Sequence, residues 1–318
     1  MINVLASIAS VPKSLCGISK SEYMRHFGSL TKSLPDSFNN KTHQIQNSDI
    51  GKNIAMGLGV VGLVTAAAIK TFKPYQIKQF AEHIDFREAK NIYEAKKFAR
   101  DNFGIKLEAD NDLFTANMIN EVCTNVSNKM KGKLSLPQKI VVQDENMINK
   151  YGRKCRGEYN VSNDTIYINK QTIAGKYTIP DTGEKISLSK WLNGLAERGS
   201  SYSKIKTDWE NSPYSFQQYA LFRMKHCIAH EIGHCNHFNL NKTGYWMSVA
   251  RGKEFQTEIN KPEIKEVCQK FFHSENYAKN PLEFVADTFA FKISGRDIPK
   301  EIEKIYKNCG GISVPFNS

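Results

Sequence analysis

The chain has 318 residues, 40% of them hydrophobic and 24% charged, which excludes a disordered or collagen-like polymer and leaves room for one large domain or two modest ones. Its 44 basic and 32 acidic residues give a net charge of +12 spread along the sequence; that favours anionic partners, but no basic block interleaved with aromatics appears, so nucleic acid is not the expected partner. The seven cysteines, at 16, 123, 155, 227, 235, 268 and 309, form no C-x-x-C pair and read as free thiols in a reducing compartment.

Residues 1–50 are rich in Ser, Asn and Lys and read as a loosely structured leader without the basic start of a secretory signal. From Asn53 to Ile69 no residue is charged, and Lys52 and Lys70 bracket the stretch. As a helix it would span about 25 Å, the short limit for crossing a bilayer. Ala55, Gly59, Gly62 and Ala66 would share one stripe of small residues, as closely packed membrane helices do. A transmembrane or membrane-proximal helix over 53–69 is the expectation, with a packed helix of a soluble protein as the alternative. The matching locations are a membrane-associated protein with its catalytic part on the cytoplasmic side, or a soluble cytoplasmic one.

Residues 75–131 read as helical, with 75–104 a connector. The clearest piece runs from Asp112 to Met130, where Met118, Ile119, Val122, Cys123, Val126 and Met130 recur at helical spacing. Lys139–Gln143 and Thr165–Asn169 read as short strands, the second after the turn-rich Asn160–Asp164. A short helix is expected near Leu188–Ala196, a longer one from Tyr214 to Phe238, and further helices at Pro262–Phe272 and Pro281–Ile293.

Within the long helix, His230 and His234 are four residues apart, so both imidazoles leave one face, as two ligands of a tetrahedral zinc ion require. Glu231 stands beside the first of them, where its carboxylate can take a proton from an attacking water and pass it to a leaving amine. Gly233 costs the helix about 1 kcal/mol relative to Ala, which close packing behind the site would explain. Pro281–Phe291 is an apolar stretch interrupted by two acids, Glu283 and Asp287, again four apart. Acids near a core must be paired. Glu283 as third zinc ligand, and Asp287 accepting the other ring N–H of a ligand histidine, would satisfy both. The alternatives are surface histidines and rim acids paired with Lys or Arg.

The two segments, His230-Glu231-Ile232-Gly233-His234 and Glu283-Phe284-Val285-Ala286-Asp287, resemble those of the gluzincin metallopeptidases. The second is similar to the Glu-x-x-Ala-Asp helix of CAAX-prenyl-protease-like zinc peptidases. The resemblance implies zinc on His230, His234 and Glu283, Glu231 as general base and Asp287 as support for a ligand. The integral-membrane members have several spans and this chain has at most one, so a prenyl-protein substrate is not implied. The segment before the long helix is more similar to soluble zincins, whose edge strand receives an extended peptide.

Thr165–Asn169 is therefore the candidate edge strand, with an internal strand as the alternative. His237, seven residues from His230, lies ~10 Å along the axis, too far to share its metal easily. Leu240 stands where metzincins place a third histidine, which disfavours that family. His226, Cys227 and Cys235 read as packing or supporting residues. Tyr245, His273 and Tyr277 are candidates to stabilise an oxyanion, and spacing does not choose among them.

The expected architecture is an α+β, zincin-like domain over 105–318 with a small mixed sheet and an active-site helix, preceded by a helical N-terminal region. The expected function is a zinc-dependent metalloendopeptidase acting on a peptide or protein through a zinc-activated water. A non-catalytic zinc-stabilised interaction protein and a DNA-associated metallopeptidase are the alternatives.

Overall fold

In the computed structural model the described residues are 80–143 (except 82), 155–169, 176–178, 185–212, 215–272 and 275–314. The leader over 1–50 and the Asn53–Ile69 segment lie outside them. The chain divides into units Met1–Gln76 and Ile77–Ser318, and all the described elements belong to the second. Among the described residues, no helix is long and apolar enough to cross a membrane.

Helix α1 (Ile92–Phe103) starts at Asn91, whose side chain accepts from the Glu94 N–H, and stops at Gly104 in the left-handed region. A strand follows at once, β1 (Lys106–Glu108), and then α2 (Leu113–Lys129), capped by Asp112. The helical reading of 75–131 is corrected here in two places. Residues 83–89 contain no helix, and 106–108 are a strand too short to show a period. The 83–89 segment is instead clamped to α2 by asparagine amides. Asn117 accepts from the Ala89 N–H at 2.8 Å and donates to the Ala89 carbonyl at 3.0 Å; Asn128 does the same to Ile84 at 2.8 and 2.9 Å.

Strands β2 (Lys139–Gln143), β3 (Gly157–Asn160) and β4 (Thr165–Asn169) complete a mixed sheet of order β1-β2-β4-β3. The β1–β2 and β2–β4 pairs are parallel, and β3 runs antiparallel to β4. Thr165–Asn169 is thus internal, not an edge: Thr165, Ile166, Ile168 and Asn169 are all buried. The edge strands are β1 and β3, and in β3 Tyr159 alone is buried. Hairpin β5 (Lys176–Thr178) and β6 (Lys185–Ser187) leads into α3 (Leu188–Glu197) and α4 (Tyr202–Glu210).

The centre of the fold is a pair of helices, α5 (Ser215–Leu240) and α9 (Pro281–Ile293), which pack on each other. Between them in sequence come α6 (Lys242–Ala250), α7 (Gly252–Ile259), α8 (Pro262–Phe271) and a 3-10 turn over Glu275–Ala278; α10 (Lys300–Asn308) follows. Every residue of α9 is buried, and Gly233 of α5 is what lets the pair approach. A Cβ there would stand 3.0 Å from Phe289 Cδ1 and 3.2 Å from the Ala286 Cα and carbonyl oxygen. Helix α5 is also fixed from the sheet side: Asn236 accepts from the Ser135 N–H at 2.8 Å and donates to its carbonyl at 2.9 Å. The molecule is an α+β fold whose small mixed sheet supports a mostly helical body.

Candidate metal centre

Four-residue spacing along α5 lines up Phe222, His226, His230 and His234 on one face, with Glu231 on the adjoining row. Helix α9 meets this face with Glu283 and Asp287, one turn apart. Its start is fixed by Asn280, whose side-chain oxygen accepts from the Leu282 and Glu283 N–H groups at 2.9 and 3.0 Å, with Pro281 at the first helical position. That cap sets the first turn, and so the direction in which Glu283 leaves the helix.

His230, Glu231, His234, Glu283 and Asp287 are all buried, between 5% and 8% exposed. The Nε2 atoms of His230 and His234 stand 3.0 Å apart. Glu283 completes the triangle, 3.4 Å from His230 Nε2 through Oε2 and 3.5 Å from His234 Nε2 through Oε1. Bonds of about 2.0–2.1 Å to a tetrahedral ion put neighbouring donors about 3.3 Å apart. The three donors fit such an ion, and this buried group could hold a metal.

The ring orientation is set by Asp287. Its Oδ1 accepts from His230 Nδ1 at 2.8 Å, which turns Nε2 toward His234 and Glu283. Burial disfavours the imidazolium of His230, yet Asp287 and Glu283 together hold its pKa well above the ordinary value. Burial likewise opposes ionised Asp287, but His230 and a hydrogen bond from His226 keep its carboxyl at about 2. Glu283 behaves alike: burial opposes its charge, and hydrogen bonds from the two imidazoles carry it well below the usual carboxylate range. Glu231 differs. Burial raises its pKa, opposed by the charges of His230 and His234.

Glu231 has room because the edge strand begins with glycine. A Cβ on Gly157 would lie 2.8 Å from Glu231 Oε1 and 2.9 Å from its Cγ, so β3 passes directly over the carboxylate. No residue pattern signals this, since it depends on two elements far apart in the chain. His226, read from the sequence as a packing or supporting residue, stands behind the donors. Its Nε2 lies 3.2 Å from Asp287 Oδ1, and His226, His230 and Asp287 form a second group with metal-binding potential. The signal was present as a third histidine at the spacing of the first two.

The remaining candidates fall elsewhere. His237 is fully buried, with its ring 5.3 Å from that of Tyr245, and burial pushes its pKa down to about 3. Tyr245 packs on Phe238 and Trp246, and Tyr277 stacks on Phe272 at 4.5 Å. Cys235 sits against Ser135, Cys227 is half-buried on α5, and both are free thiols. His273 lies outside the described residues. No family model, curated protein or solved structure matches this chain.

Proposed function

We propose that this protein is a zinc-dependent metallopeptidase of the gluzincin type, acting on the backbone of an extended peptide. One observation carries the reading: two imidazole nitrogens and a carboxylate converge at 3.0–3.5 Å in a buried site, with a further carboxylate, Glu231, beside them. Two nitrogen donors and one oxygen leave a tetrahedral ion one open position, the donor set of catalytic rather than structural zinc. When bound, the ion supplies Lewis acidity toward a carbonyl oxygen and makes water acidic.

The chain's own residues supply the rest. Asp287 keeps the His230 ring turned with Nδ1 on its carboxylate, so that Nε2 faces the position a metal would take. Glu231 is the general base: its carboxylate takes the proton of the attacking water and delivers it to the departing amine. Burial raises its pKa above the ordinary carboxylate value, against the lowering charges of His230 and His234. The outer edge of β3, at the margin of the sheet, offers N–H and C=O groups to an extended substrate. Its Gly157 end stands at Glu231, so a peptide paired there would bring its backbone to the base.

Replacing the base tests this without disturbing the donors. Glu231→Gln is expected to retain zinc at the wild-type level while cleavage of a broad peptide library falls by about three orders of magnitude or more. A Gln variant that cleaves at the wild-type rate removes Glu231 from the chemistry. A wild-type chain that binds zinc and cleaves nothing removes the peptidase reading and leaves a metal-stabilised binding protein.

A further inference from the structure

The metal-binding face of α5 carries one histidine more than the donor set uses. His226, one turn before His230, points its Nε2 at Asp287 Oδ1, 3.2 Å away. The same oxygen accepts from His230 Nδ1 at 2.8 Å. One carboxylate oxygen therefore receives both histidines, and the other histidine of the pair is a proposed metal ligand.

The His226 ring is itself held by aromatic neighbours, 4.6 Å from the ring of Phe291 and 5.4 Å from that of Phe222. Asp287 and Phe291 are one turn apart on α9, so His226 touches the helix at two points: an apolar one that sets its plane and a polar one that uses its Nε2. Its other nitrogen, Nδ1, is buried with no hydrogen-bond partner among the described residues. A histidine whose only polar contact among the described residues is the carboxylate behind a proposed ligand is placed to act on that carboxylate.

We propose that His226 is a positioning residue, which fixes the Asp287 carboxylate and through it the orientation of His230 toward metal. A single hydrogen bond leaves a carboxylate free to swing about its χ2 torsion; two donors on one oxygen, from successive turns of α5, remove that freedom. This inference rests on the metal site proposed above and adds the residue that orients it.

The test is zinc affinity of the full chain, measured by chelator competition, for wild type, His226→Phe and His226→Gln. Phenylalanine keeps the ring between Phe222 and Phe291 but has no donor, whereas glutamine restores an N–H near the position of Nε2. Removing partners of this kind costs about 10–100-fold in metal affinity. The Phe variant is therefore expected to bind at least about tenfold more weakly and the Gln variant within about threefold of wild type. In an Asp287→Ala background the His226→Phe loss should vanish, because its route to the ligand is gone. Equal affinity of wild type and the Phe variant overturns the proposal, as does a Gln variant about tenfold or more weaker than wild type, or a loss that persists undiminished without Asp287. A Phe variant that does not fold leaves the decision to the Gln variant. A wild-type chain with no zinc affinity overturns the metal site itself, a result distinct from all of these.

Discussion

At Gly157 it is the absence of a side chain that leaves room for the proposed base. The volume a Cβ would occupy, 2.8 Å from Oε1 and 2.9 Å from Cγ, belongs to Glu231. Gly157→Ala should therefore displace the carboxylate while leaving His230, His234 and Glu283 in place. A misplacement near 1 Å costs about a hundredfold in rate, so kcat is expected to fall by about that factor with zinc content unchanged. Wild-type kcat in the alanine variant would show that Glu231 does not need this space. The contrast in legibility is physical. His230, Glu231 and His234 were readable because helical periodicity converts spacing into a shared face. Glu283 and Asp287 were readable because acids in an apolar helix demand partners. Gly157 has meaning only once β3 is brought to α5.

At the scale of elements, the site is the meeting of α5 with α9, and Gly233 governs their separation. Gly233→Ala gains about 1 kcal/mol of helix propensity, against an overpacking cost of about 1–3 kcal/mol where the new methyl meets Phe289 and Ala286. The meeting atoms include the α9 backbone, which cannot rotate away, so the cost is expected to exceed the gain. The variant should lose about 1 kcal/mol in urea unfolding and bind zinc less tightly, because two donors sit on α5 and the third on α9. A variant that is more stable and binds zinc as well as wild type would mean the helices are not in limiting contact. Elements with a clear period, α2, β2, β4 and α9, were placed by the sequence to within a residue or two. The edge was assigned to Thr165–Asn169 because an apolar strand is visible, whereas Gly157–Asn160 buries one side chain and shows no pattern.

For the whole molecule, the α+β class followed from strands that interrupt long helical stretches, and the structure has that class. Several connections escaped notice because polar side chains, not apolar periodicity, hold them. Asn117 and Asn128 fasten the 83–89 segment to α2, and Asn236 fastens α5 to Ser135. Glu121 of α2 binds Lys206 of α4 at 2.8 Å and Lys225 of α5 at 3.4 Å. These ties hold α5 on the sheet side and α9 at its Asn280 cap, the two elements from which the proposed site is built. The central claim is that this arrangement takes zinc through three protein ligands. The most direct measurement is the metal content of the purified full-length chain beside Glu283→Ala, by elemental analysis after dialysis. About one equivalent of zinc in the wild type and less than about a tenth of that in the variant is the expected result. Full occupancy in Glu283→Ala, or no zinc in the wild type after exposure to it, would contradict the claim.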